Sequence, residues 1–359
     1  MLSKVKHKRN ITILTIKKTI MKKVLLAIAA VATITSCSQS EDFENPGREA
    51  EISFNSVINK STRAAIIEND KFESFTVSGY RTTDAMTSGT QLTGGFMDDV
   101  AVSKAEGGWS QVGTFYWPAT AYVSFFATSP KQTLDITKAG FPKFNYTVGE
   151  TTTQVDLLAA NLINQQKSDN KVTLGFRHLL TQVNFSIKGE KDFKYVISKL
   201  EVSGVSTSAT YSFDGNTSTV GAWENWGTAD GAYTYDITED PKEITVTDIA
   251  SVTNLDVAET SLFMLVPQTL TESAKVSITY YAIPKDKTDS LDKTFEGTKT
   301  VELGISTKWE ANKKVRYTLV LSSDAKSIEI GEPTVTAWDT LEVNGGEVIP
   351  VASVTPPVE

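Results

Sequence analysis

The stretch Val315-Arg316-Tyr317-Thr318-Leu319-Val320-Leu321 decides the fold class. Apolar residues stand at every second position, and a period of two predicts a β-strand with one buried face. The same alternation recurs in residues 276–280 and again in residues 52–55. Turn clusters such as Asp214-Gly215-Asn216 separate the apolar runs. Many short strands with turns of this kind are typical of all-β sandwiches or barrels.

One segment departs from this pattern, and one tract lacks a clear period. Val155, Leu158, Ala159 and Leu162 stand at helical spacing, which predicts a short helix. The tract 206–235 is rich in Gly, Thr, Asn and Trp, and we interpret it as a long loop or irregular hairpin.

The first 36 residues have the features of a secretory signal. They hold eight Lys and Arg and no acidic residue, and the apolar block 24–32 follows two lysines. That block is shorter than the roughly 20 residues that a membrane span needs. Met21-Lys22-Lys23 is an ordinary signal start by itself, so both Met1 and Met21 remain possible start residues.

The signal ends in Ile34-Thr35-Ser36-Cys37, which resembles a lipobox, the site where a lipoprotein is cut and acylated. Cys37 is the only cysteine, and lipid attachment explains a lone cysteine in an exported chain. Residues 37–50 are polar and acidic and predict a tether. They also resemble the signal that sends some Gram-negative lipoproteins to the outer face of the outer membrane. We therefore expect a surface-exposed lipoprotein.

Composition excludes several functions. After residue 36 the chain keeps 27 basic and 43 acidic residues, a net charge near −16, which argues against nucleic acid as a partner. His178 is then the only histidine, and its apolar neighbours predict a structural role. Cys/His zinc sites and Cys–His nucleophiles are excluded, and no phosphate loop or calcium loop is found. We predict neither an enzyme nor a cofactor or metal.

The tryptophans give a second hypothesis. Trp117 and Trp338 are predicted to be core residues. Trp223 and Trp226 lie in the polar tract, where an exposed pair could stack on a sugar ring. The alternative, which we favour, is that the pair pins the loop onto a sandwich.

A set of segments in fixed order resembles the fimbrillin family, also called type V pilins or Mfa-like proteins, over about residues 50 to 340. The segments are Ile52-Ser53-Phe54, Thr62-Arg63-Ala64, Phe115-Tyr116-Trp117-Pro118, Val123-Ser124-Phe125-Phe126-Ala127, Asp156-Leu157-Leu158-Ala159-Ala160, Val172-Thr173-Leu174-Gly175-Phe176-Arg177-His178, Val266-Pro267-Gln268, Trp309-Glu310-Ala311-Asn312 and Val335-Thr336-Ala337-Trp338.

This resemblance implies export as a lipoprotein and two tandem transthyretin-like Greek-key β-sandwiches. We place these domains at residues 51–190 and 191–340, with a tail at 341–359. In shaft subunits of the family an arginine-specific protease removes the first strand, and a neighbour's strand fills the groove. Tip and anchor subunits share the fold. The implied partners are other fimbrial subunits, the outer membrane through the lipid, and a host or bacterial surface receptor.

Two sets of residues are candidates for the assembly steps that the resemblance implies. Arg63 is the candidate cleavage position because a cut there would release the strand near residues 51–57; Arg48 is the alternative, but a cut there leaves that strand in place. The candidate donor is the tail, with apolar anchors at Val343, Val348, Ile349, Val351 and Val354. Its prolines cannot donate ladder hydrogen bonds. A glycan-binding lipoprotein, or a tip or anchor subunit, is the alternative function.

Overall fold

The computed structural model describes residues 50–58, 72–215, 221–256, 262–324, 328–337, 341–344 and 347–350. Within these ranges the only helical elements are two single 3₁₀ turns, Thr151–Thr153 and Ser290–Asp292. The predicted all-β class is confirmed. The closer likeness to transthyretin stays a prediction.

The strands of the N-terminal half are β1 (Phe54–Ile58), β2 (Ser74–Thr82), β3 (Met97–Ala105), β4 (Gly108–Gln111), β5 (Tyr122–Ser129), β6 (Lys143–Thr147), β7 (Leu158–Gln165), β8 (Val172–His178) and β9 (Thr181–Gly189).

The strands that follow are β10 (Phe193–Val205), β11 (Ser208–Ser212), β12 (Ala222–Glu224), β13 (Gly231–Asp236), β14 (Lys242–Thr245), β15 (Thr253–Asn254), β16 (Phe263–Leu265), β17 (Gln268–Thr269), β18 (Lys275–Pro284), β19 (Phe295–Glu302), β20 (Lys308–Trp309), β21 (Lys313–Leu321), β22 (Ile328–Ile330), β23 (Thr334–Ala337), β24 (Leu341–Asn344) and β25 (Glu347–Pro350).

The first sheet has seven strands in the order β1-β8-β7-β5-β2-β3-β4. Its two faces join different hydrophobic clusters, because successive side chains of a strand point to opposite faces. We call the cluster that holds Phe125 and Ala127 of β5 the first cluster. The cluster that holds Phe126, on the opposite face of the sheet, is the second cluster. The central strands of this sheet are therefore buried on both sides.

The second cluster extends into a sandwich of two further sheets. One has the order β13-β10-β18-β19 with β14 also on β10, and the other has the order β15-β9-β21-β22 with β16 and β23 at its margins. The rings of Phe185 and Tyr317 stack with centroids 5.5 Å apart. Tyr195 Oη donates to Leu321 O at 3.2 Å and Tyr280 Oη to Ser322 O at 3.0 Å, so hydrogen bonds link the two layers.

The expected boundary between two domains near residue 190 stays a proposal. One strand pairing joins residues on the two sides of this boundary. Strand β9, which precedes residue 190, runs parallel to β21, with Val183 opposite Val315. The first cluster ends at Phe176, and Leu179 already belongs to the second. The second cluster also includes Tyr80, Phe126 and Ala159 of earlier strands, so the two clusters do not divide the chain at a single position.

The short helix predicted around residues 155–162 is wrong. Residues 158–165 form β7, which pairs with β5 and β8. Leu158, Ala159 and Ala160 are all buried, because the strand is covered on both faces. A short apolar run of this kind does not distinguish a doubly buried strand from a helix, and the neighbouring strands decide. The tract 206–235, interpreted as a loop or hairpin, contains β11, β12 and β13.

Candidate functional site

The chain segment that enters β1 is held from two sides. Strand β1 pairs in parallel with β8, with Phe54 opposite Val172, whereas every other pairing in that sheet is antiparallel. Just before it, Ile52 N donates to Phe115 O at 2.8 Å, and Trp117 N donates to Ala50 O at 3.0 Å. The segment therefore lies in a groove between β8 and residues 115–117.

A side chain from the far end of the sheet closes this groove. Gln111, the last residue of β4, donates from Nε2 to Ile52 O at 2.8 Å. Since β1 and β4 are the two outer strands of the seven, this contact brings the margins of the sheet together.

Two side chains anchor the segment. Ile52 is 0% exposed and Phe54 is 1% exposed, whereas Asn55 points to solvent. Full burial of such an apolar side chain is worth about 1.5–3 kcal/mol. Because Ile52 and Phe54 are two residues apart, they insert on the same face.

The wall around Phe54 is aromatic. Its ring meets Phe75 with centroids 6.2 Å apart and Phe125 with centroids 5.5 Å apart, both edge to face. Phe75 in turn contacts Phe176 of β8 at 5.0 Å. Removal of β1 would expose this wall and leave the backbone groups of β8 without partners, and such an edge recruits another strand.

At the C-terminal end, β22 and β23 both lie along one side of β21. Gly331 N donates to Thr318 O at 3.0 Å between them. All four residues of β23 are exposed. Beyond residue 340 the backbone forms a separate hairpin, with Leu341 opposite Pro350 and Val343 opposite Val348. The sequence Asn344-Gly345-Gly346, which joins the two strands along the chain, is typical of a tight hairpin.

The described ranges hold only part of the predicted assembly residues. Cys37, Arg48, Arg63, Val351 and Val354 lie outside them, as does Trp338. Val343 belongs to β24, and Val348 and Ile349 belong to β25. Their roles stay predictions. The strand expected near residues 51–57 is β1.

The two tryptophans of the second hypothesis differ. Trp223 is half-buried, donates from Nε1 to Leu179 O at 3.0 Å, and packs against Tyr211 at 5.4 Å. Trp226 is 47% exposed, and its Nε1 donates to Pro267 O at 2.6 Å. Trp223 thus pins its strand to the sandwich, and only Trp226 presents a free ring surface.

His178 lies in the core. Its Nδ1 is 2.7 Å from Asp156 Oδ2, and both side chains are almost fully buried. This pair joins β8 to the residues before β7. In the described part of the chain, no three His, Cys, Asp or Glu side chains are placed to hold a metal ion. Likewise, no helix in these ranges has the length and apolarity of a membrane span.

Sequence reasoning found the first strand but not the residues that hold it. Gln111, Phe115 and Trp117 contact the segment through long-range hydrogen bonds. The run Phe115-Tyr116-Trp117-Pro118 was part of the family resemblance, and its aromatic density was a usable signal. Nothing in the sequence around Gln111 indicates that its side chain bonds to the backbone of Ile52.

Comparisons with known proteins agree with this architecture. A family model described as fimbrillin-like matches residues 62–338, more than half of the chain. A fimbrial protein from Bacteroides vulgatus is 20% identical, with a TM-score of 0.59 over 80% of this chain and 99% of its own. Among curated proteins, none matches significantly.

Two further solved structures match with lower TM-scores. A candidate cell-adhesion protein from Bacteroides uniformis is 16% identical, with a TM-score of 0.41 over 82% of this chain and all of its own. Another from Bacteroides ovatus is 14% identical, with a TM-score of 0.47 over 83% of this chain and all of its own. The family model, together with the fold shared with the Bacteroides vulgatus protein, identifies the chain. It belongs to the fimbrillin-like family.

Proposed function

We propose that the chain is a structural subunit of a surface fimbrium that serves adhesion, exported as a lipoprotein and joined to its neighbours by strand exchange. The observation that carries this proposal is how the β1 segment is held. It lies at the margin of the sheet, and hydrogen bonds and two fully buried side chains, Ile52 and Phe54, hold it in its groove. Family membership supports a pilus subunit.

The position of Arg63 supports a cleavage trigger. It lies five residues after the end of β1 and fourteen residues before Val77 of the next strand. A cut after Arg63 leaves β1 held only by its hydrogen bonds and by Ile52 and Phe54. A cut after Arg48 would free the lipid but keep β1 continuous with the body.

A vacated groove recruits a strand for two physical reasons. The backbone of β8 loses its hydrogen-bond partners on the side that β1 covered, and the aromatic wall around Phe54 loses its cover. In strand addition, main-chain hydrogen bonds give affinity and alternate side chains in pockets give specificity. The pockets of Ile52 and Phe54 require two apolar residues at positions i and i+2.

The tail offers this spacing in Ile349 and Val351. Its hairpin must open before one extended strand can be donated, which costs little because an isolated two-stranded hairpin is marginal in water. Strand donation from one copy to the next is a head-to-tail contact, so it propagates as a filament instead of closing.

The test is the N-terminal sequence and native mass of protein sheared from the producing cells, with wild type, Arg63→Ala and Arg48→Ala in parallel. We expect wild type and Arg48→Ala to yield chains that begin at Ala64 in high-mass polymers. Arg63→Ala should stay monomeric with β1 attached. A wild-type chain that begins at lipidated Cys37 and is monomeric would instead indicate an anchor or tip subunit, or a glycan binder.

A further inference from the structure

The loop between β12 and β13 presents one tryptophan in a fixed orientation. Trp226 is 47% exposed, yet its indole Nε1 is bonded to Pro267 O at 2.6 Å. Asn225 before it has a left-handed φ of 52°. Gly227 after it donates its N–H to Ser208 O at 2.9 Å and accepts from Ser206 Oγ at 2.9 Å. Two hydrogen bonds therefore hold the backbone on the C-terminal side of Trp226.

The loop passes close to β11 at Gly227. A Cβ atom at that position would lie 2.5 Å from Ser208 Oγ, so a larger residue there would require the Ser208 hydroxyl to rotate away. Such a fixed loop lowers the ordering cost of binding, because little conformational freedom is lost when a ligand arrives.

Three polar side chains of the same loop face solvent. Asn225, Thr228 and Asp230 are exposed. Among the described residues, none of these three side chains makes a hydrogen bond. Together they offer an amide, a hydroxyl and a carboxylate, which can both donate to and accept from hydroxyl groups.

We propose that residues 225–230 form a binding site for a neutral carbohydrate. Trp226 supplies the flat surface on which the C–H face of a sugar ring stacks, and Asn225, Thr228 and Asp230 bind its hydroxyl groups. The indole N–H is already used, so the ring offers only its apolar face and edge.

Area and charge favour this ligand over the alternatives. A half-exposed indole presents about 100 Å² of apolar surface, whereas a stable protein interface buries about 800 Å² on each partner. Asp230 repels acidic polymers, and the whole chain carries a formal net charge of −8. A neutral sugar needs no such large contact area, and the negative charge does not repel it. No residue that bonds the β1 segment lies in this loop, so the site is separate from the proposed assembly groove.

The experiment is native electrophoresis of the full chain through gels that contain soluble mannan, xylan, mixed-linkage β-glucan or heparin. We expect at least one of the three neutral polysaccharides to retard the wild type. Trp226→Ala should weaken that binding by about tenfold or more, as loss of a stacking ring does elsewhere. Trp226→Phe should keep part of it, and Thr228→Ala and Asp230→Ala should each weaken it.

The matched control is Leu291→Ala, which removes a side chain 89% exposed on another loop. It should leave retardation unchanged. If Trp226→Ala fails to fold, Thr228→Ala and Asp230→Ala carry the test, because their side chains make no hydrogen bond in the described structure. The proposal is overturned if no neutral polysaccharide retards the wild type, if heparin alone does, or if these variants all bind like the wild type.

Discussion

The ring of Phe54 meets the ring of Phe125 edge to face, with centroids 5.5 Å apart and planes at 88°. Phe54 is 1% exposed, so its removal leaves a cavity in the first cluster that the surrounding rings only partly fill. We expect Phe54→Ala to lower the free energy of unfolding of the uncut chain by about 3 kcal/mol. Urea unfolding followed by circular dichroism measures this.

The neighbouring residue provides the control for Phe54. Asn55 stands on the same strand but points to solvent, so Asn55→Ala should change the free energy of unfolding by less than about 0.5 kcal/mol. Equal losses for the two variants would mean that β1 does not pack as described.

The tail should bind in trans only when the groove is empty. We expect a labelled peptide of residues 341–359 to bind chains that have been cut after Arg63 and stripped of β1, and not to bind uncut chains. Fluorescence anisotropy of the peptide measures this binding. A peptide with Ile349→Asp and Val351→Asp should fail, because charged side chains cannot occupy the apolar pockets of Ile52 and Phe54. Equal binding to cut and uncut chains would contradict strand exchange at this groove.

The strongly periodic segments were predictable from the sequence, and their packing explains why. Val315, Tyr317 and Leu319 are buried while Arg316 and Thr318 are partly exposed, as the alternation requires. The segment at 158–165 was not predictable, because a strand covered on both faces has no alternation to read. Its run of Leu158, Ala159 and Ala160 fits either kind of element.

The candidate groove was only half predictable. The alternation of Ile52 and Phe54 predicts the strand and its buried face. The sequence does not carry the identity of its partners, because the bonds from Phe115 and Gln111 join residues about sixty positions apart. The difference between Trp223 and Trp226 was equally hidden, since both lie in the same polar tract and only tertiary contacts distinguish them.

Buried tyrosines predict a loss of stability at high pH. Burial raises the pKa of Tyr80 to about 12 and that of Tyr317 to about 12, whereas an unfolded tyrosine titrates near pH 10. Between these values the folded chain binds more protons than the unfolded chain, so their contribution to stability is complete below about pH 10 and is lost as pH rises toward about 12. We expect the melting temperature to fall over this interval.

The variant Tyr317→Phe tests this account. Tyr317 Oη accepts a hydrogen bond from Trp309 Nε1 at 2.9 Å, and both residues are buried. Removal of the hydroxyl leaves that N–H without its partner and should cost about 1–3 kcal/mol at neutral pH. The alkaline loss should become less steep, because one late-titrating group is gone. An unchanged slope would mean that Tyr317 does not contribute to it.

The outer strand β19 is expected to be protected from pairing with other chains. In the described sheet it pairs only with β18, and Lys299 stands opposite Ile278, which is fully buried. Lys299 therefore lies on the core face, with Nζ 5.5 Å from the centre of the Phe295 ring. A charge that points inward on an outer strand opposes the addition of another strand. We expect Lys299→Val to increase self-association of the uncut chain at neutral pH, measured by light scattering.

The control for Lys299 is Thr300→Val, which adds similar apolar surface to the same strand on the opposite face. It should remain monomeric, because Thr300 pairs with Ser277 on the solvent side and leaves the inward charge in place. If both variants stay monomeric, the protection of β19 comes from its distorted backbone at Gly297, whose φ is 152°. A subunit that assembles through one groove needs its other strand margins closed, so aggregation of Lys299→Val without any cut would show which feature keeps assembly directional.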